Sequence, residues 1–151
     1  MERKRLRLRN FDYGDPGPYF VTVTLQNRQP IFGTIRDATL LQTAIGCLVE
    51  STWLTMSDRF DGVELDDFIV MPDHIHGILI LPTNGKTKLG TVLQAFKSIT
   101  TVEYGRGVES FNWPRYERRL WQRDYWEHVI RIERDLNEKR SYIQGNPARW
   151  G

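Results

Sequence analysis

Apolar positions along the chain change period several times, and each change predicts an element. Tyr19 to Leu25 alternate as a strand whose apolar content is Phe20, Val21 and Val23. Asp37 can cap a helix, and Leu41, Ile45, Leu48, Val49 and Trp53 then recur at helical spacing to about Leu54. A strand follows over Val63 to Met71, and Phe68 to Pro82 reads as a buried β-hairpin in which two runs of branched residues flank Pro72 and Asp73. Val92, Leu93, Phe96, Ile99 and Thr100 predict a second amphipathic helix from Leu89 to about Tyr104, with Lys97 near its middle and Gly105 to Gly107 as its stop. Val108 to Trp121 has no clean period and is predicted as a long loop with one short strand. A last helix begins near Ile130 with Ile132, Leu136 and Ile143 on one face. It ends near Asn146, where Gly145 and Pro147 disfavour continuation. This order predicts an α+β fold with a central antiparallel sheet.

At 151 residues the chain is expected to be a single domain, 1–151, with a basic amino-terminal arm over about residues 1–10. No apolar run is long enough to span a membrane, and the basic start lacks the apolar stretch of a secretory signal, so a cytoplasmic protein is expected. The single cysteine, Cys47, falls in an apolar helical pattern and is expected to be a small core residue without redox chemistry. The net charge of +2 is uninformative, but its distribution is not. Arg3, Lys4, Arg5, Arg7 and Arg9 crowd the amino terminus. Arg115, Arg118, Arg119 and Arg123 are interleaved with Trp113, Tyr116, Trp121 and Tyr125. Arginines among aromatics suit phosphate neutralisation with base stacking, against the plainer reading of a solvated arm and a charged loop.

The central hairpin carries the clearest chemistry. His74 and His76, two of the three histidines in the chain, are two apart on a strand and so point to one side, where both imidazoles can reach one metal ion. Ile75 between them faces the apolar core. The plainer reading, packed or surface histidines, is equally common for an HxH pair alone. On the last helix Tyr142 and Asn146 are four residues apart and share a face. A phenol can act as a nucleophile, and an amide oxygen one turn on can complete a site begun by two histidines. Their plainer roles are a half-buried core residue and a helix terminator.

Three stretches, VMPDHIHGILIL (70–81), LWQRDYWEHVIR (120–131) and RSYIQGNPARW (140–150), occur in an order and at separations that resemble the REP-associated tyrosine transposases. These are domesticated relatives of single-tyrosine insertion-sequence transposases in the HUH endonuclease superfamily. The similarity runs from about Tyr19 to Trp150. It implies a ferredoxin-like or RRM-like HUH domain: a central antiparallel sheet with helices packed on its faces. It also implies that His74 and His76 are the HUH pair, Asn146 the third metal ligand and Tyr142 the nucleophile. Tyr125 is the competing tyrosine, but family members can carry phenylalanine at its position. His128 is then a polar support or phosphate contact. Some members carry a further basic carboxyl-terminal tail.

The activity so implied is metal-dependent cleavage and joining of single-stranded or hairpin DNA of the REP palindromic type, through a 5′-phosphotyrosine. The divalent ion would be Mg²⁺ or Mn²⁺, and the chain a monomer or homodimer. Two other classes are compatible with the residues. One is a nucleic-acid-binding module without catalysis; the other is a metal-dependent phosphodiester hydrolase in which Glu64 or Asp66 joins the histidines.

Overall fold

The computed structural model describes residues 15–149, in which β1 (Gly17–Thr24) is the strand the sheet is built on. It pairs antiparallel along its whole length with β5 (His74–Leu81) and, on its other side, with β6 (Trp126–Val129). On the outer side of β5 lies β4 (Glu64–Val70), giving the order β4–β5–β1–β6 with every neighbouring pair antiparallel. Thus β1 and β4 run parallel with β5 between them and are joined through α1 (Ala44–Leu54). Likewise β5 and β6 flank β1 and are joined through α3 (Leu89–Phe111). This is the split β-α-β arrangement of ferredoxin-like folds, and the expected α+β class with an antiparallel sheet holds.

Alternation on β1 divides the core into two. Tyr19, Val21 and Val23 face α1 and α3 together with Ile75 and Leu79 of β5. Trp53 fills the centre of this side, stacked on Phe68 at 5.1 Å and edge-on to Phe96 at 5.4 Å. It sits directly against Gly77, where a Cβ would lie 2.6 Å from the indole Cζ2, so only glycine fits there. Truncating Trp53 to alanine would cost about 3–5 kcal/mol. The opposite side is smaller: Phe20, Ile78, Ile130 and Ile143 are buried under α4 (Glu133–Arg149), with Ile69, Trp126, Leu136 and Tyr142 around them.

Several boundaries differ from the sequence expectations. Asp37 caps no helix: with Ala38 it turns a hairpin, both at positive φ (53° and 61°), between β2 (Gly33–Arg36) and β3 (Thr39–Gln42). Two successive left-handed residues are what a two-residue hairpin turn requires. The helix starts at Ala44, where the Thr43 hydroxyl accepts from the Gly46 amide at 3.1 Å. Leu41 is 52% exposed, and Cys47 is exposed rather than core, because Ile45, Val49 and Trp53 already form the buried stripe. After α1 a single turn, α2 (Met56–Arg59), leads to β4.

The glycines at 105–107 do not stop α3, which runs on to Phe111 and ends at Asn112 in the left-handed region (φ 60°). Gly107 serves packing instead: a Cβ there would lie 2.0 Å from the Trp113 ring. Residues 126–129 form a fourth sheet strand where a helix start was expected soon after, and α4 begins at Glu133, leaving Ile132 60% exposed. Pro147 lies inside α4, in its last turn, where it removes one backbone bond. Burial of Ile143 and Asn146 on the sheet holds the helix past that point.

Candidate active site

The start of β5 sets the histidines. His74 and His76 lie opposite Thr24 and Thr22 of β1, on the α4 side of the sheet, while Ile75 is fully buried on the other. Their Nε2 atoms approach to 3.1 Å. Each Nδ1 is engaged: that of His74 with Asp73 Oδ1 at 2.7 Å, that of His76 with Thr22 Oγ1 at 2.8 Å. Asp73 is 5% exposed and its second oxygen accepts from Arg28 Nε at 3.0 Å. Burial opposes the charge on Asp73, but the hydrogen bonds and charges of His74 and Arg28 hold its pKa below the ordinary value. His74 thus turns Nδ1 to the Asp73 carboxylate and Nε2 to His76. Burial, with His74 beside it, pushes the His76 pKa down to about 3, which keeps that ring neutral.

Helix α4 lies over this pair. The Tyr142 ring packs edge-on to His76, 5.3 Å between centroids, and edge-on to Phe20 at 6.0 Å. Asn146, one turn further, is 7% exposed, and its Nδ2 is buried with no hydrogen-bond partner. Polar clamps tie the helix to both edges of the sheet. Near β6, His128 Nε2 meets Asp135 at 2.7 Å, and Lys139 meets the other oxygen of Asp135 at 2.9 Å. At β4, Arg140 makes a two-point contact with Asp66 (2.8 and 2.7 Å), and Gln144 donates to Asp67 at 2.7 Å. His128 thus links β6 to α4.

The clamp also removes one carboxylate from contention as a ligand. Asp66 is committed to Arg140, whose hydrogen bond is the main reason its pKa lies below the ordinary value despite burial. Glu64 is exposed and pairs with Ile80, four residues along β5 from His76. Among the described residues no three His, Cys, Asp or Glu side chains converge as a metal site.

Tyr125 lies on the far side of the sheet. It packs against the α1/α3 core, its hydroxyl approaches Gly90, and Lys97 Nζ sits 5.5 Å from its ring centroid. The Lys97 ammonium also donates to the carbonyls of Gln122 and Arg123 (2.8 and 2.9 Å), and burial lowers its pKa to about 8. Arg118, Arg119 and Arg123 line a groove with Lys97, while exposed Arg115 pairs with Glu109 at 3.6 Å. The aromatics between them pack against the α3 side of the core. Trp121 is 3% exposed and bonded to Thr100, and Trp113 and Tyr116 pack on Tyr104. Arg3, Lys4, Arg5, Arg7 and Arg9 lie outside the described residues. Sequence reasoning missed Thr22, Asp73 and Arg28. Asp73, directly before His74, could have been found as a partner for the ring, and Thr22 from its parity on β1; nothing pointed to Arg28.

No protein-family profile matches the chain. It is 32% identical to an uncharacterised protein of Haemophilus influenzae over 98% of this chain and 89% of the relative. It is 28% identical to the REP-associated tyrosine transposase of Escherichia coli strain K12, over 89% of this chain and 68% of that protein. The fold matches, with a TM-score of 0.70 and 22% identity, the structure of a REP-associated tyrosine transposase bound to a REP hairpin, covering 95% of this chain and 74% of that one. With its named relatives matching about nine-tenths of the chain and the fold agreeing with them, it belongs to the REP-associated tyrosine transposase family.

Proposed function

We propose that the chain is a DNA strand transferase that cleaves and rejoins single-stranded or hairpin DNA through Tyr142. The observation that carries this reading is the convergence on one sheet face of two Nε2 atoms and the Tyr142 ring, with buried Asn146 one turn away. That a solved relative is bound to a REP hairpin supports a palindromic hairpin as the partner.

The donor set suits a divalent metal. Both imidazoles have Nδ1 engaged and can offer Nε2, the outer-shell pattern common to metal-bound histidines. Asn146 has an orphaned buried amide nitrogen; with the amide turned over, its oxygen would take that place. His74, His76 and Asn146 would hold Mg²⁺ or Mn²⁺, and the bound ion supplies Lewis-acid polarisation of a phosphate oxygen.

Tyr142 Oη attacks the phosphorus, an O–P bond forms, and the bond to the 3′ oxygen breaks. The phenol gives up its proton and the departing 3′ oxygen acquires one. The product is a 5′-phosphotyrosine with a free 3′-hydroxyl. No water enters, so the bond energy is retained and a 3′-hydroxyl can reverse the step without ATP. Packing of Tyr142 on His76 and Phe20 restricts the ring, which favours one attack direction. His128 acts through Asp135 as a support. The basic arm and Arg115, Arg118, Arg119 and Arg123 supply electrostatic affinity for the phosphate backbone. Incubation with single-stranded hairpin DNA and Mg²⁺ or Mn²⁺, followed by mass spectrometry of trapped peptides, tests this: the adduct is expected on Tyr142. Hydrolytic product without an adduct would favour a hydrolase, and binding without cleavage a binding module.

A further inference from the structure

We propose that Arg28 is a phosphate-binding residue of this site, gripping the DNA strand beside the scissile bond while Asp73 holds both it and His74. The inference rests on the strand-transferase reading for its location. Arg28 lies in the turn after β1 at φ 57°, a left-handed conformation that an L-residue adopts at some energetic cost. Backbone bonds hold it there: its amide donates to the Leu25 carbonyl at 3.3 Å, and the Leu25 amide donates to the Asp73 carbonyl at 3.0 Å. The side chain then meets Asp73 through Nε alone. Among the described residues neither Nη nitrogen has a partner, and the side chain is 61% exposed.

A guanidinium anchored through Nε keeps its Nη1–Nη2 edge for a second, planar two-point contact, the geometry that matches phosphate. The shared carboxylate puts the guanidinium one side chain away from His74, on the Nδ1 side of its ring. The chain just before Arg28 runs beside the 120–122 segment. Gln26 donates to the Leu120 carbonyl, and the adjoining Arg119 and Arg123 have no carboxylate partner among the described residues. The occupant is therefore the sugar-phosphate backbone of a single strand, leaving the cleavage point toward the Arg119–Arg123 segment.

The test measures affinity of Tyr142→Phe protein for a single-stranded oligonucleotide against salt, with and without Arg28→Ala. Loss of one phosphate contact should flatten the log–log slope by about 0.7 and weaken binding at low salt. In the absence of DNA, Mn²⁺ affinity followed by electron paramagnetic resonance should be unchanged in Arg28→Ala but lowered about 10–100-fold in Asp73→Ala. Should Arg28→Ala fail to fold, Arg28→Gln keeps a bond to Asp73 without the charge and gives the same reading. An unchanged slope overturns the proposal, as does a slope unchanged while Mn²⁺ affinity falls, which would make Arg28 only a brace for Asp73. A flattened slope in a protein that never forms an adduct sustains the phosphate contact and overturns only the strand-transferase reading.

Discussion

The Tyr142 ring meets the His76 imidazole edge-on, with 5.3 Å between centroids and 72° between planes. Tyr125 stands on the other side of the sheet over Lys97. Tyr142→Phe removes one oxygen from a ring whose packing is unchanged, so melting should stay within about 0.5 kcal/mol of the parent while the DNA adduct vanishes. Tyr125→Phe should leave the adduct in place. A trapped peptide carrying Tyr125 would overturn the assignment.

The histidines should matter to cleavage more than to binding. His74→Ala and His76→Ala should each abolish cleavage in Mg²⁺ while retaining most affinity for hairpin DNA, since the arginines proposed to grip the backbone are left in place. Gel-shift and cleavage assays on the same preparations separate the two. Full cleavage by both variants would remove the metal from the proposal.

His76 should also make the metal-free protein acid-sensitive. Its folded pKa is about 3 against an ordinary 6.5, chiefly because it is buried. Between those values the unfolded chain takes up a proton that the folded chain refuses. Stability is therefore full above about pH 7 and falls as pH drops through the window, by up to about 1.4 kcal/mol per unit. Thermal melts in chelator from pH 7 to 4 should show this limb, and His76→Asn should flatten it. Equal slopes would mean that the ring protonates in place.

The hold of β4 on α4 can be tested without touching the site. Asp66→Asn weakens the two-point contact to Arg140, and a displacement of Tyr142 by about 1 Å is enough to lower cleavage by up to 100-fold. The expected signature is a large loss of adduct with a small fall in melting temperature. A parallel loss of both would mean that the clamp serves folding alone.

Replacing Arg3, Lys4, Arg5 and Arg7 together by alanine should weaken DNA binding and flatten its salt dependence, with the rate from bound complex unchanged. An unaltered slope would take the arm off the DNA surface.

The parts of this design that are local were legible in the sequence. The hairpin around Pro72 and Asp73 announces itself by composition, and the parity of His74, Ile75 and His76 follows from the strand alone. The β2–β3 hairpin was not legible, because Ala38 is an unusual residue for positive φ and Leu41 happened to fit a helical period. The strand β6 was missed because four residues with a buried Glu127 at their centre give no clean alternation. Choosing between Tyr125 and Tyr142 depends on which face of the sheet each occupies. That is settled by how α4 and the 120–125 segment return to β1, not by any neighbour in the chain.

The irregularity in β4 between Leu65 and Phe68 lets two consecutive residues, Asp66 and Asp67, address the same helix. Their partners Arg140 and Gln144 are one turn apart, about 6 Å along the axis, and Tyr142 lies between them. Sliding α4 by a turn would bring an amide where Asp66 needs a guanidinium, so the two aspartates work as a notch that indexes the helix lengthwise. The axial setting of the tyrosine is thereby fixed from the sheet's outer strand, not from the strand that carries the histidines. Deleting either aspartate would mis-set the tyrosine along its axis while leaving His74, His76, Asn146 and Tyr142 all in the sequence.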